Sequence, residues 1–452
     1  MLQKGIETPG QLFPGCGSMN WRNLRVDWEL ELPLVKWVLI GLGPNGRIFL
    51  KDNTHWHCWN VIPNEFKAMM QERIALLHLK ASINYPNGNS LPSWVDNKSS
   101  NCCQWERVEC NNTSSRVIQL SLNQTRDWES RKEWYFNASL FLPFKEIKTL
   151  ELSGNALVDW VENEGFEKLS TLTNLEVLDL SSNWINNSKI LEFIGGIPSL
   201  KSLNLEYNSF GSSVDLTSFK KFSTLTNLEV LDLSFNWIDN SEILEFISGI
   251  SSLKSLNLGG CLSSVNFTSF EKLSMLINLE VLDLSYNSIN NSKILEFIGG
   301  ISSLKSLNLQ DNSLGSSANL TSFEKLSILI NLEVLDLSYN SINNSKILEF
   351  IGGISSLKSL NLRDNRLGSS VDLTSRNQES KLTNLQVLDL SDNFITNIIW
   401  SSLKEFSSLK VLDLSWNYMN ESISIQGLCE LKTLQEIGLN SNGLKGQLPW
   451  CL

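Results

Sequence analysis

The chain has 452 residues, a formal net charge of −11 at pH 7 and a sequence pI of about 5.0. An acidic chain lacks the basic stripe that a nucleic-acid surface needs, so we exclude nucleic acid as a partner. No apolar run approaches the roughly 18–20 residues of a membrane span, and the N-terminus lacks a signal-peptide pattern, so we expect neither an anchor nor an export signal in this sequence.

Residues 1–71 show no repeat and form an unassigned N-terminal segment, which we expect to be misannotated. Gly41, Gly43 and Gly46 match the G-x-G-x-x-G pattern of a dinucleotide or phosphate loop. Such a loop opens a helix, whereas the sequence after Pro44 predicts none, so the pattern favours a Gly/Pro turn. An enzyme that uses this segment stays as an alternative hypothesis.

Two histidines and a cysteine lie close together at the end of the same segment. His55, His57 and Cys58 offer ligands that suit zinc, but no second half of a four-ligand set follows them. We therefore expect no metal site and no cofactor.

Residues 72–121 have the pattern of a terminal cap. Ile74, Leu76, Leu77 and Leu79 predict an amphipathic helix, and a loop and a short hairpin with three cysteines follow. This segment would cover the open edge of the array that follows.

Residues 122–452 repeat the pattern L-x-x-L-x-L-x-x-N/C, the leucine-rich repeat, about twelve times at intervals of about 24–28 residues. Alternation within each unit, as in Val281–Ser285, predicts a short strand, and the outer KILEFI segment predicts a helical turn ended by Gly-Gly. The fold class is an α/β solenoid, a leucine-rich-repeat horseshoe with a parallel concave β-sheet, short convex helices and a cysteine-bonded N-terminal cap. The stretch from Leu276 to Leu309 recurs unchanged from Leu329 to Leu362, as expected of a surface lengthened by copying.

The asparagine of each repeat forms a column along the array. Its amide is expected to bond the turn backbone of its own and the neighbouring coil, and Cys261 takes its place once as a structural residue. Because the array contains no histidine, it excludes a Ser-His or Cys-His relay, and the sequence has no catalytic kinase motif. We conclude that the protein is not an enzyme and has no catalytic residues.

The cap resembles that of the plant leucine-rich-repeat receptor-like proteins, which are kinase-less cell-surface receptors. The family pattern E-R-x-A-L-L-x-x-K, S-W and C-C-x-W-x-x-V-x-C is matched by Glu72, Arg73, Ala75, Leu76, Leu77, Lys80, Ser93, Trp94, Cys102, Cys103, Trp105, Val108 and Cys110. The C-terminal segment with Cys429 and Cys451 resembles a middle part of the same ectodomains.

Most of the eight cysteines lie outside the repeats or at their far end, a placement that favours disulfide bonds and an oxidising compartment. The resemblance carries over Cys103–Cys110 directly and suggests Cys58–Cys102, although the family places the partner of Cys102 nearer the Glu-Arg pair, where this sequence has Lys67 and Ala68. Cys429 and Cys451 complete the disulfide candidates.

The resemblance also implies a receptor at the plasma membrane or outside the cell, in defence or development. Its ligand would be a peptide, a glycan or a protein, and a co-receptor kinase would act in trans. The membrane would be reached only through a C-terminal span absent from this chain, so we expect a truncated gene model whose array lacks its C-terminal cap. A secreted inhibitor of a foreign enzyme and a non-functional receptor fragment are the alternatives.

Two sets of surface residues follow from this reading. The N-glycosylation candidates are Asn97, Asn111, Asn112, Asn123, Asn137, Asn186, Asn266, Asn290, Asn319, Asn343 and Asn420. The ligand-binding candidates on the concave face are the variable residues Glu206, Tyr207, Phe235, Tyr286, Gln310, Asp311, Tyr339, Arg363, Asp364 and Trp416.

Overall fold

The computed structural model describes residues 64–445, apart from 86–87, 97–99, 127–131, 212–213, 239, 263–266, 318–319, 345, 372–381, 399–402, 404–405, 421–427 and 430. Before residue 64 it describes the backbone of six short strands. The chain divides into two compact units, Met1–Asp179 and Leu180–Leu452.

The first unit begins with two small antiparallel sheets. Their strands are β1 (Leu12–Phe13), β2 (Gly17–Ser18), β3 (Trp28–Glu31), β4 (Lys36–Leu42), β5 (Ile48–Lys51) and β6 (Trp56–Trp59). Gly41 lies in β4, and β5 then pairs antiparallel with β4, so the glycine pattern is followed by a strand and not by the helix that a dinucleotide loop requires. Gly43, Gly46, His55 and the side chains of His57 and Cys58 lie outside the described residues.

Helix α1 (Asn64–Ile83) forms the body of the cap. Its buried face carries Glu72, Ala75, Leu76, Leu79 and Ile83 at the three- and four-residue spacing of one helix face. Ile74 is 47% exposed and faces away from this stripe, so its predicted place on the apolar face is wrong. None of the helices in the described part of the chain combines the length and the apolar character that crossing a membrane requires.

The cap ends in the predicted hairpin. Strands β7 (Val108–Cys110) and β8 (Val117–Ser121) pair antiparallel, and β8 then starts a parallel ladder with β10 (Thr149–Glu151) and β12 (Val177–Asp179). A second parallel pair, β9 (Trp134–Phe136) and β11 (Leu157–Trp160), lies in the same unit.

The second unit is a parallel ladder with one strand in each coil. Its strands are β13 (Ser202–Asn204), β14 (Val230–Asp232), β15 (Ser255–Asn257), β16 (Val281–Asp283), β17 (Ser306–Asn308), β18 (Val334–Asp336), β19 (Ser359–Asn361), β21 (Val387–Asp389), β23 (Val411–Asp413) and β24 (Glu436–Gly438). Strands β20 (Gly368–Val371) and β22 (Phe394–Ile398) form a separate parallel pair. The middle leucine of neighbouring strands is in register, as in Leu282 with Leu307, and both are buried.

The other side of the coils carries short helices. The α-helices are α2 (Lys189–Ile194), α3 (Ile243–Ile247), α4 (Phe267–Phe270), α5 (Ile294–Ile298), α6 (Leu320–Glu324) and α7 (Ile347–Ile351). Within the described residues, the 3₁₀ helices are Cys102–Gln104, Ala138–Leu140, Phe166–Thr171, Leu216–Thr224, Glu271–Met275, Leu314–Ser317 and Lys325–Ile328. The predicted solenoid with a parallel sheet and short outer helices is confirmed.

The Gly-Gly pairs end these helices for a reason other than backbone freedom. Gly299 follows α5 with an ordinary right-handed backbone, φ −56°. A Cβ at Gly299 would come within 2.8 Å of the Lys325 carbonyl oxygen, so the glycine lets the next coil approach.

Candidate ligand-binding face

The motif residues of the cap hold it together. The Trp94 ring stacks on Trp105 at a centroid distance of 5.8 Å, and the Arg73 guanidinium lies 5.7 Å from the Trp105 ring. Lys80 Nζ donates to the Trp94 carbonyl at 2.8 Å. The family pattern of the cap therefore consists of packing residues.

A buried ion pair joins helix α1 to the first strand of the ladder. The side chain of Glu72 is 1% exposed and that of Arg116 is 13% exposed, and their charged groups approach to 2.7 Å. The Val117 N–H also donates to Glu72 Oε2 at 3.2 Å. Burial raises the pKa of the Glu72 carboxyl, against the opposing effect of Arg116.

One disulfide bond closes the hairpin as the resemblance implied. Cys103 and Cys110 are bonded with their Cα atoms 5.5 Å apart. Cys429 is also disulfide-bonded, and Cys451 lies outside the described residues.

The suggested Cys58–Cys102 bond is wrong, because Cys102 is a free, buried thiol. Burial, together with the negative charge of nearby Glu72, raises the pKa of the Cys102 thiol to about 11. One helical turn before Glu72, where the family would place a cysteine, α1 holds Ala68. Cys58 lies in β6, before the helix begins, and is no substitute for a cysteine on α1.

The asparagine column makes the predicted bonds. Asn312 is buried, and its Nδ2 donates to the Leu309 carbonyl of its own coil at 3.1 Å and to the Leu284 carbonyl of the preceding coil at 3.0 Å. Its Oδ1 accepts from the Ile289 N–H at 2.8 Å. These bonds fix the turn that follows each strand.

Cys261 keeps only the acceptor half of this arrangement. Its thiol is fully buried and unbonded, and the Ile238 N–H points at its sulfur. Burial raises the pKa of Cys261 to about 12, so the thiol stays protonated and unreactive.

The turn after each strand has a left-handed backbone at a position that repeats in every coil, which we call the left-handed column. In four coils the residue after the asparagine is left-handed as well: Ala156, Trp237, Ser288 and Ser341. The left-handed column immediately precedes the asparagine, or Thr125 and Cys261 where they take its place, and has φ between 49° and 67°. Its members are Gln124, Gly154, Ser182, Tyr207, Phe235, Gly260, Tyr286, Asp311, Tyr339, Asp364, Asp392, Trp416 and Ser441. A left-handed backbone costs a residue with a Cβ about 1–2 kcal/mol, and bulky side chains rarely adopt it.

Five of these strained positions carry aromatic rings. The exposed fractions are 51% for Tyr207, 45% for Tyr286, 39% for Tyr339 and 59% for Trp416, and Phe235 is half-buried. The backbone N–H of each of these residues donates a hydrogen bond to a carbonyl of the next coil. The Tyr286 N–H, for example, donates to the Gln310 carbonyl at 2.9 Å. Strain that is kept at exposed aromatic residues is typical of a binding surface.

The structure brings several predicted candidates together. The Tyr207 and Phe235 rings stack at 4.4 Å, and Phe235 lies 5.9 Å from the Tyr286 ring. A Cβ at Gly260 would come within 2.7 Å of the Phe235 ring, so this glycine leaves room for the ring. Gln310 Nε2 donates to the Tyr286 hydroxyl at 3.1 Å.

The copied coil repeats the tyrosine but gives it a different polar neighbour. Arg363 takes the place of Gln310, is hydrogen-bonded to Tyr339 and forms an ion pair with Asp392 at 3.0 Å. Glu206 lies half-buried beside Tyr207. Asp311, Asp364 and Trp416 are exposed, each in a different coil. The candidates thus form a line along the sheet and not a single pocket.

The acidic residues of the strands bond to their neighbours. Asp283 Oδ1 accepts from the Ser285 N–H at 2.9 Å and from the Ser285 hydroxyl at 2.6 Å, while Asn308 Nδ2 donates to Asp283 Oδ2 at 2.8 Å. These carboxylates give the face negative charge, although their hydrogen-bonding capacity is largely used within the sheet.

Four exposed aromatic residues were not among the predicted binding candidates. Trp184, Trp237, Phe394 and Tyr418 occupy the position just after the asparagine column, with exposed fractions of 41%, 65%, 48% and 62%. The Phe394 and Tyr418 rings stack at 5.6 Å. Their shared place after the asparagine is the signal that could have found them.

The sequons differ in how far the structure exposes them. Asn112, Asn186, Asn290, Asn343 and Asn420 are exposed, whereas Asn111, Asn123 and Asn137 are half-buried. Asn97, Asn266 and Asn319 lie outside the described residues.

Comparison with known proteins matches both parts of this architecture. The leucine rich repeat N-terminal domain family matches residues 70–111, and leucine rich repeat families match stretches between residues 171 and 444. The leucine-rich-repeat ectodomain of the Arabidopsis receptor kinase HAESA, solved with an IDA peptide hormone, has a TM-score of 0.57 and 21% identity over 85% of this chain and 67% of that chain. The protein is therefore a leucine-rich-repeat protein with a cysteine-bonded N-terminal cap.

Plant receptor-like proteins are among the relatives of this chain. Cuscuta receptor 1 of tomato (Solanum lycopersicum) is 37% identical over 397 residues, 84% of this chain and 34% of that protein. Receptor-like protein 14 of Arabidopsis thaliana is 38% identical over 39% of this chain and 20% of that protein. The resemblance to plant receptor-like proteins is confirmed, and the chain spans about a third or less of the length of these relatives.

Proposed function

We propose that this chain is a ligand-recognition array of a plant cell-surface receptor-like protein and binds a peptide or protein ligand along its strand face. The observation that carries the proposal is the set of exposed aromatic rings in the left-handed column. Folding alone would favour glycine or a small polar residue at these positions, as several coils have.

The relatives support the same reading. The chain is similar to proteins named as receptors, and a peptide hormone occupies the HAESA ectodomain to which the fold is similar. A rigid sheet with pre-positioned aromatic side chains binds with little loss of conformational entropy. The function is recognition without catalysis, at the plasma membrane or outside the cell, with a kinase acting in trans.

The copied coils provide matched variants for the test. The face variant carries Tyr286→Gly and Tyr339→Gly, and the outer variant carries Ile277→Ser and Ile330→Ser. Ile277 and Ile330 are 67% and 71% exposed and belong to the same two copies, away from the left-handed column.

The experiment selects a library of random 12-residue peptides against the immobilised full chain. We expect enriched peptides that bind the wild type and the outer variant alike and bind the face variant at least tenfold more weakly. A library without binders, or binders that lose affinity only for the outer variant, would overturn the proposal.

A further inference from the structure

The duplicated coils present one aromatic subsite twice. Asp283, Ser285 and Tyr286 recur as Asp336, Ser338 and Tyr339 in an unchanged stretch of sequence. One coil lies between them, and strands in a sheet are about 4.8 Å apart, so equivalent atoms of the two tyrosines repeat at about 9.6 Å. A ligand that uses both subsites in the same way needs a matching repeat.

A polyproline II segment has that repeat. It has three residues per turn and rises about 3.1 Å per residue, so residues i and i+3 lie on one side about 9.3 Å apart. The mismatch with the tyrosine spacing is about 0.3 Å per repeat.

Other peptide conformations fit less well. Three residues of a β-strand span about 10 Å, but the side chains of i and i+3 then point to opposite sides. Seven residues of an α-helix return to the same face after about 10.5 Å, a mismatch of about 0.9 Å per repeat.

The side chains at the Tyr286 subsite also suit a proline-rich ligand. Proline-rich segments dock in grooves lined by aromatic rings, and their backbone carbonyls have no internal partners. The Tyr286 hydroxyl and Gln310 Nε2, 3.1 Å apart, place polar hydrogen donors at the rim of the first ring. The Phe235 ring, 5.9 Å from Tyr286, extends the apolar surface on one side.

The charge of the face adds a preference for a cationic ligand. Asp311 is exposed in the coil between the two tyrosines, and Asp364 is exposed in the coil after Tyr339. Arg363, the cation beside Tyr339, is engaged with Asp392 at 3.0 Å. Lys305 and Lys358, which immediately precede strands β17 and β19, are paired with Glu280 and Glu333 at 2.8 Å.

Resting on the proposed function, we infer that the ligand segment bound here is an extended, cationic, proline-rich peptide of the form Pro-x-x-Pro. One proline packs on the Tyr286 subsite and the other on the Tyr339 subsite. A basic residue between the prolines lies opposite Asp311.

Two ten-residue probes of identical composition test the register. Both contain three prolines, three lysines and four serines, with the prolines at every third position in one and at every fourth in the other. We expect the first probe to bind the full chain at least tenfold more tightly in calorimetry, and to lose tenfold or more in the face variant but not in the outer variant. Asp311→Asn with Asp364→Asn should weaken it several-fold at low salt and less at high salt.

Equal affinity of the two probes, or binding that survives in the face variant, would overturn the inference. If library-selected peptides without the three-residue period bind the strand face, the inference fails while the proposed function stands. Binding of a β-1,4-linked glucose hexasaccharide to the same tyrosines in place of the peptide would also overturn it. If neither the probes nor the library bind the face, both proposals fail.

Discussion

The ion pair between Glu72 and Arg116 makes an asymmetric prediction for the stability of the cap. Glu72 is almost fully buried, whereas Arg116 keeps some contact with water and a second partner in the Pro143 carbonyl at 3.2 Å. Arg116→Met leaves the buried Glu72 carboxylate without its cation. Glu72→Gln leaves the more exposed Arg116 without its carboxylate, beside a neutral side chain of the same shape as glutamate.

The magnitude follows from these contacts. Leaving one charge of a buried pair uncompensated costs about 3–5 kcal/mol, so we expect this loss for Arg116→Met. Glu72→Gln should cost only about 1 kcal/mol, the net value of a typical hydrogen bond, because burial already opposes ionisation of Glu72. The double variant Glu72→Met with Arg116→Met should lie within about 1 kcal/mol of the wild type.

Hydrogen exchange of the α1 amides in the folded, full-length chain measures the free energy of local opening. The pKa of Glu72 is raised in the folded chain. The contribution of its protonation to the unfolding free energy is therefore complete below about pH 4.5 and is lost as the pH rises through the raised pKa. The difference between wild type and Glu72→Gln should therefore shrink from pH 4 to pH 7. A cost for Glu72→Gln equal to or above that of Arg116→Met would refute the reasoning.

Three further predictions concern the thiols and the asparagine column. Cys102 and Cys261 should resist alkylation in the folded chain at pH 8 and react after unfolding without reductant; a Cys102 that stays unlabelled would mean that it is disulfide-bonded. Asn340→Ala should lower the unfolding free energy by about 2–4 kcal/mol, since buried Asn340 donates to three carbonyls. The control Asn343→Ala, at an exposed position of the same coil, should change it by less than about 0.5 kcal/mol. Cys261→Asn should raise the unfolding free energy by about 1 kcal/mol in denaturant unfolding. A destabilised variant would show that the packing of this coil fits the thiol better than an amide.

The strands and the asparagine bonds could be predicted from the sequence because each depends on a local pattern. The alternation in Val281–Ser285 and the asparagine at the ninth position of the leucine-rich motif determine which side chains turn inward. Repetition in every coil makes the pattern unmistakable.

The left-handed column could not be predicted in the same way. Tyr286 and Tyr339 have side chains that disfavour a positive φ, so local preference argues against the backbone that stacking of the coils imposes. The position of Ile74 was wrong because its neighbours Glu72 and Ala75 define the buried stripe, and a buried glutamate hides that stripe from an apolar pattern.

The central claim is that the aromatic residues of the left-handed column are kept for binding and not for folding. The most direct test measures unfolding free energy and the affinity for a library-selected peptide in the face variant, Tyr286→Gly with Tyr339→Gly. Glycine relieves the left-handed backbone, so we expect the variant to be at least as stable as the wild type while its affinity falls tenfold or more. A variant that loses stability and keeps its affinity would contradict the account.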